Sequence, residues 1–240
     1  VVTVKLAESK IKSFPLQVMA TGKVTTLTQA NINFKTTGVI EKILVQNSST
    51  VKAGQVLAVL DNAQQRIALQ QAQDNLQDTR VELNKLLLEF GGKDRDTTSV
   101  SHRILENIKA KSGITKALTN VYDARLKLEN TYLKAPFAGI VANLKTKAYN
   151  PSSATEPFCT ILNRESLVVE VAILESELGV ITLGQIAKIK SLAYSERNYV
   201  GKVSEINPVV NAQGLVLIKI RVQNPDQYLL EGMNAQVIIE

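Results

Sequence analysis

The sequence has few of the residues on which metal binding and covalent catalysis depend. Its 240 residues include one cysteine, one histidine, two methionines and no tryptophan. Cys159 therefore has no partner for an internal disulfide, and there are too few soft ligands for a metal site. The sequence also contains no Ser-His-Asp set, no phosphate-binding glycine loop and no carboxylate pair at catalytic spacing. We therefore expect a protein that is not an enzyme and that has no catalytic residue, cofactor or metal site.

Long apolar runs and blocks of like charge are missing as well. The apolar stretches at 86–88 and 215–218 fall far short of the about 20 residues that cross a bilayer. The net charge is +6, but basic residues are interspersed with acidic ones and aromatic residues make up only 5%. This pattern argues against nucleic acid as a partner. Because the chain starts at Val1 without a basic and apolar leader, we expect a mature or trimmed product.

The middle of the chain predicts a first long helix from Asp61 to Phe90, a stretch without glycine or proline. Its apolar positions recur at alternating steps of three and four residues, which is a heptad seam. We expect Asp61 to cap the helix with Gln64 in a capping box, and Gly91 and Gly92 to end it in left-handed conformations. The seam consists of Leu69, Ala72, Leu76, Thr79, Leu83, Leu86 and Phe90.

A second helical stretch, from Ser101 to Thr131, repeats this spacing and should pair with the first. Its seam consists of Ile114, Ala117, Val121, Ala124, Leu128 and Thr131. Apolar residues before Gly113 are out of phase with the seam, so we expect a bend or a register shift at 111–113. The polar link at 91–100 predicts an antiparallel hairpin. Because the remaining positions are polar, each helix should have one narrow apolar stripe, and the hairpin should stand in solvent.

The segments on either side of this hairpin resemble each other. Residues 38–40 match 139–141 at a spacing of 101, and residues 56–61 match 158–163 at a spacing of 102. Each half reads as short strands joined by glycine and polar turns. Neither half can bury a sheet face alone, so we predict one β-sandwich that is built from both halves and interrupted by the hairpin.

The last third predicts a small antiparallel β-barrel. Its strands alternate in hydrophobicity and are separated by turn residues such as Gly184 and Asn207-Pro208. A short helix at 175–180 interrupts them, and an alternating stretch at 14–24 should supply a further strand. The predicted strands are 167–174, 186–192, 199–206, 215–223 and 235–239.

These motifs together resemble the periplasmic adaptor, or membrane fusion protein, family (HlyD-like) of Gram-negative efflux pumps. The most diagnostic segments are 51–61 before the hairpin and 130–141 after it, and 201–208 and 230–233 resemble the family's barrel. The resemblance implies a mixed α and β, elongated multidomain architecture, in which a coiled-coil hairpin splits a lipoyl-like (biotinyl) sandwich. The implied domains are a β-barrel at 9–32 plus 165–240, a lipoyl-like domain at 33–61 plus 133–164, a hairpin at 62–132, and a possible remnant strand of a membrane-proximal domain at 1–8.

The resemblance further implies an adaptor that links an inner-membrane transporter of the RND type to a TolC-like outer-membrane channel. Such an adaptor works in the periplasm, is anchored to the inner membrane by a lipid or an N-terminal segment, and forms a homo-oligomer, a hexameric ring. The hairpin tip would contact the channel, although the Arg, Leu and Ser trio frequent at adaptor tips is incomplete here. The candidate tip residues are Leu88, Phe90, Gly91, Gly92, Lys93, Asp94, Arg95, Ser99 and Ser101.

Other interpretations remain open. An adaptor of an ABC-type export or secretion system has the same architecture. A lipoyl or biotinyl carrier is a more distant alternative, because the turn that would present a modified lysine is replaced by the hairpin, and Lys52 reads as a structural turn residue. For Asp94, Arg95 and Asp96, the plainer interpretation is a solvated turn. His102 reads as a surface or capping residue, and Cys159 as a buried thiol.

Overall fold

The computed structural model describes residues 17–194 and 196–240. The predicted remnant strand at 1–8 and the start of the predicted strand at 14–24 lie outside the described residues. The chain divides into two compact units. Among the described residues, one unit comprises 17–29 together with Asn163–Glu240, and the other comprises Ala30–Leu162.

Along the chain, a central group of helices separates two groups of strands. The first part contains β1 (Val18–Thr26), β2 (Gln29–Ile32), β3 (Ile40–Ile43), β4 (Thr50–Val51), β5 (Val56–Leu60), α1 (Ala63–Glu89), α2 (His102–Ser112) and α3 (Ile114–Glu129). The second part contains β6 (Tyr132–Lys134), β7 (Gly139–Ala142), β8 (Cys159–Leu162), β9 (Leu167–Leu174), β10 (Ile186–Ser191), β11 (Asn198–Val210), β12 (Leu215–Val222) and β13 (Asn234–Ile239). Short 3-10 turns lie at Thr97–Ser99, Arg164–Ser166 and Glu175–Val180.

The first unit is a closed antiparallel barrel with the strand order β1-β13-β10-β11-β12-β9. Alternate residues of each strand point inward, so that Val169, Val171 and Ile173 meet Ile220 and Ile218 in the barrel core. The β-barrel prediction is confirmed, and the short helix at 175–180 is present as a 3-10 turn.

The predicted turn at Asn207-Pro208 is wrong, because both residues lie inside β11. The register between β11 and β12 shifts between Ile206 and Val210. An irregular stretch of ladder tolerates a proline, which has no amide hydrogen to donate. The strand therefore continues through a dipeptide that usually marks a turn.

The second unit contains two small sheets, in the orders β2-β8-β7-β4 and β3-β5-β6. Strands from both sides of the helices share these sheets, since β4 pairs with β7 and β5 pairs with β6. Their inward residues form one core, in which Ile40 and Leu57 from the first flank pack with Val141, Phe158 and Ile161 from the second. Neither flank has a sheet of its own.

The helices of the second unit pair along the predicted seam. Leu76, Ile114 and Ala117 are buried together, and Leu83 and Val121 pack against them. The start of α1 meets the end of α3, so the two helices run antiparallel. The predicted bend is confirmed: α2 ends at Ser112, Gly113 has a φ of 72°, and α3 begins at Ile114. No helix in the described part of the chain is long and apolar enough to cross a membrane.

Two details of the helix prediction are wrong. The N-cap of α1 is Asn62 rather than Asp61, although the Asp61 carboxylate still accepts a hydrogen bond from the Ala63 amide at 3.2 Å. The Asn62 side chain makes no capping hydrogen bond, because it is bonded to Thr131 at the hairpin root, as described below. The expectation of a single apolar stripe also fails for α3, where Leu118, Tyr122 and Leu126 form a second stripe that is exposed.

Candidate functional site

The end of α1 shows why two glycines occupy the tip. The Gly91 amide donates to the Leu88 carbonyl at 3.0 Å, and Gly91 has a φ of 78°. The Gly92 amide donates to the Leu87 carbonyl at 2.8 Å. A Cβ on Gly92 would lie 2.8 Å from the Leu87 Cγ, so a side chain does not fit there. Of the two glycines only Gly91 is left-handed, so the prediction for Gly92 is wrong. Position 92 needs glycine because Leu87 packs too closely for a side chain.

The loop after the glycines is held by its own hydrogen bonds. The Lys93 amide donates to the Ser99 Oγ at 2.8 Å, and the Asp96 amide donates to the Lys93 carbonyl at 3.1 Å. The Asp96 Oδ1 accepts from the Thr98 hydroxyl at 2.6 Å and from the Thr98 amide at 3.0 Å. The pKa of Asp96 is lowered, first by the Thr98 hydroxyl, then by the Thr98 amide, with a further contribution from Lys93. The tip is therefore an ordered loop that depends on a carboxylate.

Asn84 joins this loop to the side of α1, a role that the sequence does not reveal. Its Nδ2 donates to the Asp94 Oδ1 at 2.7 Å, and its Oδ1 accepts from the Arg95 amide at 2.7 Å. Arg95 has a φ of 54°, a left-handed conformation uncommon for a residue with a side chain. Asn84 thus fixes the orientation of the two charged residues at the tip.

The predicted tip residues divide into two groups. Gly92 and Ser99 are partly buried and serve inside the loop. The remaining candidates are exposed: Leu88, Phe90, Gly91, Lys93, Asp94, Arg95 and Ser101.

The apolar members of the exposed group stand out. Leu88 is 50% exposed and Phe90 is 43% exposed, and the Lys111 Nζ lies 5.1 Å from the centre of the Phe90 ring. The tip thus presents apolar and charged side chains together on an ordered backbone.

A buried polar contact fixes the other end of the helices, where they leave the sheets. The Asn62 Nδ2 donates to the Thr131 Oγ1 at 3.2 Å, and that hydroxyl donates to the Leu128 carbonyl at 2.6 Å. Asn62 is 3% exposed and Thr131 is 1% exposed. The Leu60 amide donates to the Thr131 carbonyl at 2.9 Å. This contact, the hairpin root, holds the first turn of α1 against the end of α3.

Two further residues, Cys159 and His102, lie where a buried thiol and a surface residue are expected. Among residues 17–194 and 196–240, no group of acidic, histidine and cysteine side chains could hold a metal ion. Cys159 is buried in the sheet core, and burial raises the pKa of its thiol to about 11. His102 is exposed at the start of α2.

Similar proteins support one architecture. The family model of the CusB-like β-barrel domain matches residues 167–240. Macrolide export protein MacA of Yersinia pestis is 24% identical over 99% of this chain and 71% of its own length. Multidrug resistance protein MdtA of Klebsiella pneumoniae is 23% identical, and the chain covers 62% of its length.

A solved structure agrees with these matches. The crystal structure of a MacA-MexA chimera, which contains the Pseudomonas aeruginosa MexA α-hairpin domain, aligns with a TM-score of 0.76 and 23% identity over 93% of this chain and 78% of its own. The resemblance to the membrane fusion, or adaptor, proteins is therefore confirmed, and the chain has their fold with a CusB-like barrel at its C-terminal end.

Proposed function

We propose that the protein is the periplasmic adaptor subunit of a tripartite multidrug efflux pump, which links an inner-membrane transporter to a TolC-like outer-membrane channel. The observation that carries this proposal is the ordered and exposed tip of a hairpin rooted in a sandwich that both flanks build. The sandwich is then the lipoyl-like domain of the adaptor, and the helical pair is its coiled-coil hairpin. Inner-membrane anchoring and the domain boundaries given above belong to the same proposal.

The chemistry of the tip suits a helical partner. Leu88 and Phe90 offer apolar anchors, and Asp94 and Arg95 offer charges held in place by Asn84. Apolar anchors surrounded by polar groups are typical of the residues that contribute most to binding. Because the loop is already ordered, it loses little conformational freedom on docking.

The exposed stripe on α3 supports contacts between copies of the chain. Leu118, Tyr122 and Leu126 follow one another at steps of four residues, so they lie on one helix face, and they are 49%, 66% and 43% exposed. An apolar stripe of this kind is suited to lateral packing with another helix. We propose that neighbouring hairpins cover it in a hexameric ring.

The class of transporter has two candidates. We prefer a transporter of the RND type, because the sequence resembles the adaptors of multidrug efflux pumps. An ABC-type exporter is the second candidate, and similarity to a macrolide export protein over 99% of the chain supports it. A carrier function receives no support, because helices occupy the connection between the two flanks, and Lys52 lies in a separate turn whose Gly54 has a φ of 77°.

Cysteine cross-linking in cells tests the proposal. A cysteine at Lys93 or Thr97, both exposed at the tip, should trap an outer-membrane channel when the anchored full-length protein is expressed. A cysteine at Gln70, exposed on α1 toward the root, is the matched control and should not trap it. Cross-links only to cytoplasmic proteins, or equal yields from the tip and control positions, would contradict the proposal.

A further inference from the structure

One row of side chains across the outside of the barrel alternates in charge. Lys23 on β1 lies opposite Glu170 on β9, which lies opposite Lys219 on β12, which lies opposite Glu205 on β11. The Lys219 Nζ contacts the Glu205 carboxylate oxygens at 3.0 and 3.1 Å. Opposite charges on neighbouring strands stabilise a sheet. This row therefore has its charges balanced within the barrel.

A nearby pair of residues breaks this rule. Lys202 on β11 lies directly opposite Arg221 on β12, and both side chains are exposed. Like charges directly opposite each other destabilise a sheet. Within 17–194 and 196–240, no ion pair includes Lys202, Arg221 or the exposed Lys190 of β10. The barrel thus carries cations whose repulsion an external anion would relieve.

Aliphatic side chains lie among these cations. Ile186 is directly opposite Lys202 and is 51% exposed, and Val200 on β11 is 41% exposed. We call the surface formed by Ile186, Lys190, Val200, Lys202 and Arg221 the β10–β12 face. Lys188 lies opposite Val200 on the same face, but its charge is already paired with Glu240. Surfaces that combine lysine and arginine with exposed aliphatic side chains are typical of proteins that lie on anionic membranes.

The side of a second barrel that lies opposite this face, strand β1, does not provide an acidic counterpart. Strand β1 lies three strands from β11 in the closed barrel, on the opposite side. Its outward residues are Met19, Thr21, Lys23 and Thr25, none of which is acidic. Charge complementarity therefore favours an anionic surface over back-to-front stacking of barrels on this face.

We propose that the β10–β12 face binds the anionic headgroup surface of a lipid bilayer. The cations attract the phosphate groups, and Ile186 and Val200 contact the boundary between headgroups and acyl chains. This inference does not depend on contact between the hairpin tip and a channel. It adds a membrane contact made by the barrel itself.

Vesicle sedimentation tests this inference with the whole chain. Vesicles of phosphatidylcholine containing phosphatidylglycerol should bind the protein, and pure phosphatidylcholine vesicles should bind it much less. Each cation near an anionic surface contributes about a fivefold factor in binding, so Lys202→Gln with Arg221→Gln should weaken binding by about 25-fold. Raising the salt concentration should weaken binding of the unaltered protein, because salt screens the attraction.

The matched control removes the same charge elsewhere. Lys116 and Lys127 are exposed on α3, and Lys116→Gln with Lys127→Gln should leave vesicle binding within about twofold of the unaltered protein, because these residues lie outside the face. Circular dichroism checks that both variants fold. Equal losses in the two double variants, or no preference for phosphatidylglycerol, would overturn the proposal. Binding of an acidic protein by this face without any vesicle binding would overturn it as well.

Discussion

Replacing Thr131 by valine should destabilise the hairpin root. Valine has nearly the same shape as threonine but cannot accept the hydrogen bond from the Asn62 Nδ2, which is 3.2 Å from the Thr131 hydroxyl. The Leu128 carbonyl loses the Thr131 hydroxyl as a donor, but it still accepts a hydrogen bond from the Thr131 backbone amide at 3.1 Å. The group left without a partner is therefore the side-chain Nδ2 of Asn62, a residue that is only 3% exposed.

The expected loss of stability follows from this one buried donor, which is left without an acceptor. Leaving a buried polar group unpaired costs about 1–3 kcal/mol, so Thr131→Val should lower the free energy of unfolding by that amount. The three α-helices all lie in the unit Ala30–Leu162, so their circular dichroism signal during urea unfolding reports on this unit. The double variant with Asn62→Ala and Thr131→Val leaves no buried donor unpaired. Its loss in the free energy of unfolding should therefore be smaller than the sum of the losses in the two single variants.

Thr119→Val is the control, because it makes the same change on the surface of α3. The Thr119 hydroxyl donates to the Thr115 carbonyl at 3.0 Å, but the residue is exposed. Its loss should stay below about 0.5 kcal/mol. Equal losses for Thr119→Val and Thr131→Val would refute the reasoning that the root depends on a buried hydrogen bond.

Further changes probe the tip and the sheet core. Gly92→Ala should lower the free energy of unfolding by about 1–3 kcal/mol in the same urea assay, because its Cβ would meet Leu87 at 2.8 Å. The pKa of Asp96 is lowered by bonds from Thr98, so these bonds should persist above the ordinary aspartate pKa and be lost as the pH falls through the folded value. The chemical shift of the Thr98 amide should follow this titration, which Asp96→Asn should abolish. Cys159, buried and with its pKa raised to about 11, should react with a thiol reagent at neutral pH only after unfolding.

These three predictions have distinct contradicting results. Gly92→Ala with unchanged stability would show that the tip adjusts without cost. A Thr98 amide chemical shift that changes with pH equally in the unaltered protein and in the Asp96→Asn variant would show that another group controls the loop. Rapid labelling of Cys159 in the folded protein would show that the sheet core admits the reagent.

The barrel could be predicted from sequence because its strands alternate between a buried and an exposed side. Residues 186–191 show this alternation and form β10, one residue shorter than the predicted strand 186–192. At Asn207-Pro208, local turn chemistry indicates the wrong structure, since the irregular register of β11 and β12 lets the strand continue. Local propensity cannot anticipate a register that depends on a neighbouring strand.

The helical seam was likewise accessible from sequence, and its polar contacts were not. Heptad spacing identifies Leu76 and Ile114 as core residues, which they are. Asn62 looks like an ordinary residue beside Asp61, yet its partner lies 69 residues away. Asn84 looks like a solvated side chain of α1 until the loop folds back on it. Contacts distant in sequence leave no periodic signal.

The structure depends on one sandwich built from both flanks, with the helices inserted between them. The most direct test replaces residues 63–130 by a short turn and measures the reactivity of Cys159 toward a thiol reagent. Cys159 is buried with Ile40 and Leu57 of the first flank, so the shortened protein should keep its thiol protected until urea unfolds it. A Cys159 thiol that reacts without urea as fast as in the unfolded chain would contradict the account.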